Sequence, residues 1–340
     1  MKKKILALLC LVMAWALPST LQAEGYKPSV TLYGNLRYSI NYADNDDGVV
    51  DRWKGTDNIS RFGIKASYGN ERGKAFIHLQ TGAPADGGDD WAFTRRFFFG
   101  GFDCEYGKVT YGRMTNAYKF PGFALDPFYD LSRQSSTGLF GAGGATYGLS
   151  GATNGFTDNS LQYFTPNFNG FKMVGGVAFD DSDNDNEMAW LGGGSYTTNG
   201  VTIGAVYADN PETTAVYPGI AKDGEAVRIY GTYKGDGWKA GVSFENIDYT
   251  DSDKVTWDNV SYVYVTGTAM LKELKTDLSL SLGLVDDGKA KGFGVTGGVF
   301  KNLLPNAKIY AMGSYADLDS GPGPYTFSVG AIYNFKFTAN

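Results

Sequence analysis

The chain has 340 residues, 43% hydrophobic and 19% charged, with 47 Gly, 23 Tyr and 22 Phe. So many aromatics exclude a disordered chain, and Gly at about twice its usual share argues against a coiled coil or helical bundle. Thirty basic against 36 acidic residues give a net charge of −6, leaving no basic surplus to meet nucleic acid.

Residues 1–23 read as a leader rather than as structure. Lys2, Lys3 and Lys4 precede an unbroken apolar run over 5–17, Pro18 ends it, and Leu21-Gln22-Ala23 offers a small residue for cleavage. Thirteen apolar residues are too few to cross a bilayer as a helix. We therefore expect a signal peptide at 1–23 and one domain over 24–340. Cys104 is the one cysteine left beyond the leader, so no intramolecular disulfide is expected.

From residue 30 the chain alternates. Val30, Leu32, Leu36, Tyr38, Ile40 and Tyr42 share one side, while Thr31, Tyr33, Asn35, Arg37, Ser39 and Asn41 share the other. A half-buried strand in a soluble sandwich usually stops after about five or six residues, and this run is twice that. About ten residues rising roughly 3.3 Å each and tilted by about 40° cover the roughly 25 Å apolar band of a membrane barrel. Arg37 on the lipid side would cost about 2–4 kcal/mol near the midplane, so the polar side faces inward.

The segment 60–68 obeys the same rule, with Phe62, Ile64, Ala66 and Tyr68 outward and Arg61, Lys65 and Ser67 inward. The next candidates are 73–82, 92–104, 107–114, 159–166, 171–180, 188–198 and 201–208. They continue with 226–234, 238–249, 258–270, 276–285, 292–300, 307–318 and 325–337. The count is about 16 strands, which predicts an all-β fold, a closed antiparallel transmembrane barrel. Closure is required because an open edge in lipid would leave backbone N–H and C=O groups unpaired. Connections alternate long and short, as in 43–58 against Gly69-Asn70-Glu71-Arg72, and Asn199-Gly200 is a hairpin signal.

The longest connection, 115–157, holds 43 residues and includes Phe120, Phe123, Leu125, Phe128, Tyr129 and Leu131. A loop so long and apolar does not hang in water. We expect it to fold into the barrel and narrow the lumen; packing on a neighbouring subunit is the alternative.

These stretches resemble the Gram-negative general porins. The resemblance is carried by Val30-Thr31-Leu32-Tyr33-Gly34-Asn35-Leu36-Arg37, by Ser60-Arg61-Phe62-Gly63-Ile64-Lys65, and by Arg95 with Gly100. Gly107-Lys108-Val109-Thr110-Tyr111-Gly112-Arg113, Asp158-Asn159-Ser160-Leu161-Gln162-Tyr163 and the aromatic final strand follow in family order. The resemblance implies a homotrimer of 16-stranded barrels set among outer-membrane lipids and lipopolysaccharide, passing ions and small hydrophilic solutes. It also implies a constriction between basic wall residues and acids of the third loop. Placed by motif, the basic side would be Arg37, Arg61, Arg95 and Arg113 with Lys65, and the loop acids Asp126 and Asp130. The chain departs from the pattern where Phe156 and Gln162 stand at positions often held by arginine.

No enzyme, metal or cofactor is expected. His78, the lone histidine, lies on an inward phase with Gln80 and has no visible nucleophile motif near it. Asp181-Ser182-Asp183-Asn184-Asp185 has alternate acids but lacks the Gly and Glu of an EF-hand. Acidic outer loops lean toward cations, whereas the inward arginines push the other way. Two alternatives stay open: a substrate-selective channel, and a secreted β-rich binding protein.

Overall fold

In the computed structural model the described residues are 25–44, 52–84, 94–131, 146–153, 155–180, 187–212, 214–250, 256–286, 291–318 and 321–339. The expected leader lies outside them. Seventeen strand segments follow in chain order. The first nine are β1 (Lys27–Asp44), β2 (Arg52–Asp57), β3 (Arg61–Asn70), β4 (Gly73–Gly82), β5 (Thr94–Cys104), β6 (Gly107–Met114), β7 (Thr157–Phe164), β8 (Phe171–Phe179) and β9 (Met188–Thr198). Then come β10 (Val201–Asp209), β11 (Glu225–Lys234), β12 (Trp238–Thr250), β13 (Thr256–Leu271), β14 (Thr276–Asp286), β15 (Lys291–Leu304), β16 (Ala307–Leu318) and β17 (Gly321–Ala339).

β2 and β3 lie end to end on the same side of β1, Tyr38 facing Asp57 and Asn35 facing Arg61. Together they make one stave broken at 58–60, so the barrel has sixteen staves. Each is antiparallel to its neighbours, and β1 closes on β17 from Val30 opposite Ala339 to Asp44 opposite Tyr325. The expected final strand, 325–337, thus runs on past Phe337, and Thr31 and Thr338 share a hydroxyl hydrogen bond of 3.0 Å. The strand Thr94–Cys104 fills the expected 92–104, whose first two residues lie outside the described set, and 159–166 shifts to Thr157–Phe164.

The break in the second stave has a local cause. Ile59 sits at φ 62°, a left-handed conformation that a β-branched residue rarely adopts. Its neighbours hold it there. Asn58 N–H donates to Arg37 O at 2.9 Å, and its amide donates to Ser39 Oγ and to the Tyr310 hydroxyl.

The two faces of each stave meet different surroundings. Along β14, Leu280 is 52% and Leu282 49% exposed, whereas Ser281 between them is 1% exposed. Leu36, Ile64 and Val329 are exposed too, as a hydrocarbon-facing band requires. Near the short turns, Tyr68, Tyr106, Phe171 and Trp238 stand outward as an interfacial belt, with Phe171 4.4 Å from Tyr196 and Trp238 4.4 Å from Tyr233. One end of the barrel carries the tight connections, including Asn199-Gly200 with both residues at positive φ, as a type I′ turn demands.

The dry core lies between the third loop and the inner wall. Tyr118, Tyr147 and Ala152 of the loop pack with Leu191, Val206, Ile247 and Tyr262 of the staves. Phe128 and Leu131 pack with Phe300, Tyr310 and Met312, while Leu125, Tyr129 and Leu149 pack with Tyr264. Inward glycines make room for this. A Cβ on Gly241 would stand 2.2 Å from Leu125, one on Gly294 2.6 Å from the Tyr147 ring, and one on Gly283 2.0 Å from the Tyr147 carbonyl oxygen. Because the loop is seated in these slots on β12, β14 and β15, it runs along the lumen side of the wall. The connection 210–224 adds Tyr217 and Ile220 to the same core.

Candidate pore constriction

The loop opens with α1 (Lys119–Leu125), a single short helix. Asn116 Oδ1 accepts the Lys119 N–H at 3.0 Å, satisfying one of the orphan donors of the first turn. Pro121 is tolerated because its position falls among the first residues, whose N–H groups have no intrahelical partner. The helix stops at Asp126, whose Oδ1 accepts Phe128 N–H at 2.9 Å in an Asx turn. Leu125 and Gly122 face the wall, while Phe120 and Phe123 are left exposed.

The loop is tied to the wall by a buried ionic knot. Arg228 of β11 donates to Glu245 of β12 at 2.8 Å, to the Tyr118 carbonyl at 3.1 Å and to the Thr153 hydroxyl at 2.6 Å. Glu245 in turn accepts from the Tyr118 hydroxyl at 2.7 Å and from the Ser150 hydroxyl. Both charges are fully buried, so the pair holds only because nearly every lone pair and proton finds a partner.

Asp126 belongs to this fastening rather than to the water-facing side. It is buried and accepts from Thr146 N–H and Thr146 hydroxyl, both at 2.8 Å, from Phe128 N–H and from the Tyr264 hydroxyl at 3.0 Å. Burial raises its pKa, and these donors pull it back down.

Asp130 is the loop acid that meets the basic wall. Its φ of 63° turns the side chain toward β1 and β3, a conformation Asp tolerates. Arg61 reaches its Oδ2 at 2.8 Å and Arg37 at 3.5 Å, and Arg37 also donates to the Tyr129 carbonyl at 3.3 Å. Arg37 and Arg61, expected here by motif, are thus brought together on one carboxylate.

The remaining basic residues spread along the wall. Arg113 and Arg95 both pair with Asp158, at 2.5 and 3.4 Å. Arg95 is largely exposed, and its neighbour Arg96 is half-buried. A bulge explains this: Gln80 faces Phe97 while Thr81 faces Arg95, so Arg96 is the extra residue, and its Nε donates to Gln80 at 2.9 Å. Lys65 stands four residues along β3 from Arg61, roughly 13 Å nearer the short turns, with its ammonium 5.0 Å over the Tyr33 ring.

Sequence reasoning misses Arg96 and Lys119. The signal for Arg96 is present, since two adjacent arginines in a strand cannot both point inward without a bulge. Phe156, read as a departure from the family pattern, is the ring these cations share: Arg96, Arg113 and Lys119 stand 4.8, 5.4 and 5.3 Å from its centroid. Burial lowers the Lys119 pKa to about 8, with Asp130 opposing the shift and Arg96 and Arg61 adding to it. Among the described residues, six cations, Arg37, Arg61, Arg95, Arg96, Arg113 and Lys119, gather around two carboxylates, Asp130 and Asp158.

Comparison with known proteins agrees with this architecture. A family profile described as Gram-negative porin matches residues 7–321. An outer membrane porin protein of Bordetella pertussis is 28% identical over 243 residues, covering 64% of this chain and 58% of that relative. The match thus spans less than two thirds of the relative's length. Among solved structures, an anion-selective porin from Comamonas acidovorans superposes with a TM-score of 0.71 at 19% identity, covering 91% of this chain and 100% of that one. The trimer form of OmpT from Vibrio cholerae gives 0.65 at 16% identity, covering 91% and 99%. With the family profile spanning nearly the whole chain and the closed barrel displayed above, this protein belongs to the Gram-negative porin family and resides in the outer membrane.

Proposed function

We propose that the chain forms a water-filled passage through which small hydrophilic solutes and ions diffuse, with a preference for anions set beside Asp130. The observation that carries this reading is the excess of cations over carboxylates at the level of the third loop. Charges lining the narrow part of a pore bias which ions enter, and low-dielectric walls focus their field. Arg37 and Arg61 on the wall, opposed by Asp130 on the loop, also set a field across the passage that orients dipolar solutes. Arg95, Arg113 and Lys65 extend the positive side toward both mouths, while Asp126 acts by fixing the loop.

Nothing covalent is asked of these groups; the protein works as a passage rather than as a catalyst. The assembly that fits the family is a homotrimer among outer-membrane lipids and lipopolysaccharide, and OmpT of V. cholerae, a structural neighbour, has a trimer form. Reversal potential across a KCl gradient in planar bilayers tests the reading. Openings in groups of three with a chloride-selective potential are expected. A cation-selective potential would overturn the anion preference, and a protein that never opens would overturn the channel.

A further inference from the structure

Among the described residues the loop packs against the wall from β9 round to β17, and the sector from β4 to the start of β7 is lined by rings. Along this sector Phe76, Phe99, His78, Phe97 and Phe156 form an unbroken ladder. Their centroids are 6.3 Å apart from Phe76 to Phe99, 5.1 Å from Phe99 to His78, 4.7 Å from His78 to Phe97 and 5.3 Å from Phe97 to Phe156. All five are half-buried, and all lie on the inward phase, since Ile77, Phe98 and Phe102 beside them are the exposed, lipid-facing residues.

Cations edge the ladder at both ends. Lys108 stands 5.1 Å over Phe76, and Arg96 4.8 Å over Phe156. Among the described residues neither has a carboxylate within ion-pair distance, whereas Arg113 and Arg95 are committed to Asp158. An aqueous passage that served only hydrated inorganic ions would gain nothing from a phenylalanine wall. A neutral sugar would gain nothing from the flanking charge. A flat apolar ring that carries one negative charge uses both.

We propose that this sector is a binding lane for aromatic carboxylates, their rings stacking on Phe97 and Phe99 while the carboxylate passes between Lys108 and Arg96. The proposal rests on the channel reading above and adds a solute class to it. Offset and edge-on ring contacts favour an aromatic guest over an aliphatic one of the same charge. Several equivalent rings in series let the guest move on rather than lodge, as conduction requires.

The test is block of chloride current by sodium benzoate, with acetate and cyclohexanecarboxylate as controls, on the full-length protein in planar bilayers. Benzoate should block saturably at a concentration about tenfold below either control, a margin that one or two ring contacts supply. The substitutions Phe97→Leu and Phe99→Leu, which keep apolar bulk, should each remove most of that margin, and Lys108→Gln should weaken block by all three anions. Chloride conductance of each variant reports that it has folded and inserted. Openings in chloride with equal block by benzoate and acetate would overturn the lane and leave the channel standing. Benzoate block untouched by both leucine variants would overturn it too, by placing the guest elsewhere. No openings in any salt would remove the channel reading and the lane with it.

Discussion

Lys119 is where charge at the constriction becomes conditional. It sits on the loop between Asp130, Arg61 and Arg96, and its pKa near 8 lies below the usual lysine value because burial disfavours the ammonium. Below that pH the amine is protonated and adds to the positive side. Above it the amine is neutral, so the proposed anion preference should fall as pH rises from 7 to 9. Reversal potentials measured across that range should show the decline, and Lys119→Met should flatten it. The linkage to stability has the opposite sense: the folded state gives up its proton sooner than the unfolded chain, so this residue's contribution improves as pH rises from about 8 toward the unfolded value. A second prediction concerns the acid partner. Asp130→Asn removes a carboxylate from between two arginines and should shift the reversal potential further toward chloride, whereas Arg61→Gln should shift it back. Much of this was legible. That Arg37 and Arg61 point inward could be read from alternation, because an arginine in lipid is too costly, whereas their meeting with the loop was expected only from the resemblance. Asp126 and Asp130 could not be told apart, since position in a loop says nothing about which carboxylate finds four donors and which finds two guanidinium groups. Arg95 and Arg96 could not be resolved because one extra residue in β5 reverses the phase at that point.

At the scale of elements, the third loop is held by shape, by the buried Arg228–Glu245 pair, and by the bonds to Asp126 and Asp130. Glu245→Gln leaves Arg228 charged, buried and without its counter-charge, which typically costs about 3–5 kcal/mol. That is ample to free the loop locally while the barrel's backbone ladder stays closed. Noisier single-channel currents with unchanged resistance of the barrel to detergent denaturation are the expected outcome. The double change with Arg228→Met should quiet them again, because it removes the stranded charge. Gly283→Val tests the seat itself: its Cβ would fall within the contact distance of the Tyr147 carbonyl, so the loop must lift. Its conductance should rise above the parent's. Periodicity announced the staves within a few residues, β2 inside the expected connection 43–58 excepted, because lipid outside and water inside impose a strict alternation. It was silent on the seats, since a glycine in a strand looks the same whether it marks a bulge, a weak spot or a socket.

The whole molecule is organised inside out relative to a soluble protein, with apolar residues on the rim and small polar ones, such as Ser281 and Ser328, buried inside. A channel and a secreted binding protein differ in what surrounds Leu280 and Leu282. Leu282→Arg places a guanidinium in hydrocarbon and should lower folding stability by about 2–4 kcal/mol in lipid vesicles, measured by denaturant titration. The same change in a water-soluble barrel would be close to neutral.

The sockets for the loop lie on β12, β14 and β15, while the guanidinium groups that grip Asp130 come from β1 and β3. The sockets and the cations proposed to discriminate among solutes therefore lie on different staves. Point changes among the wall charges should thus alter which ions pass while the glycine sockets go on seating the loop.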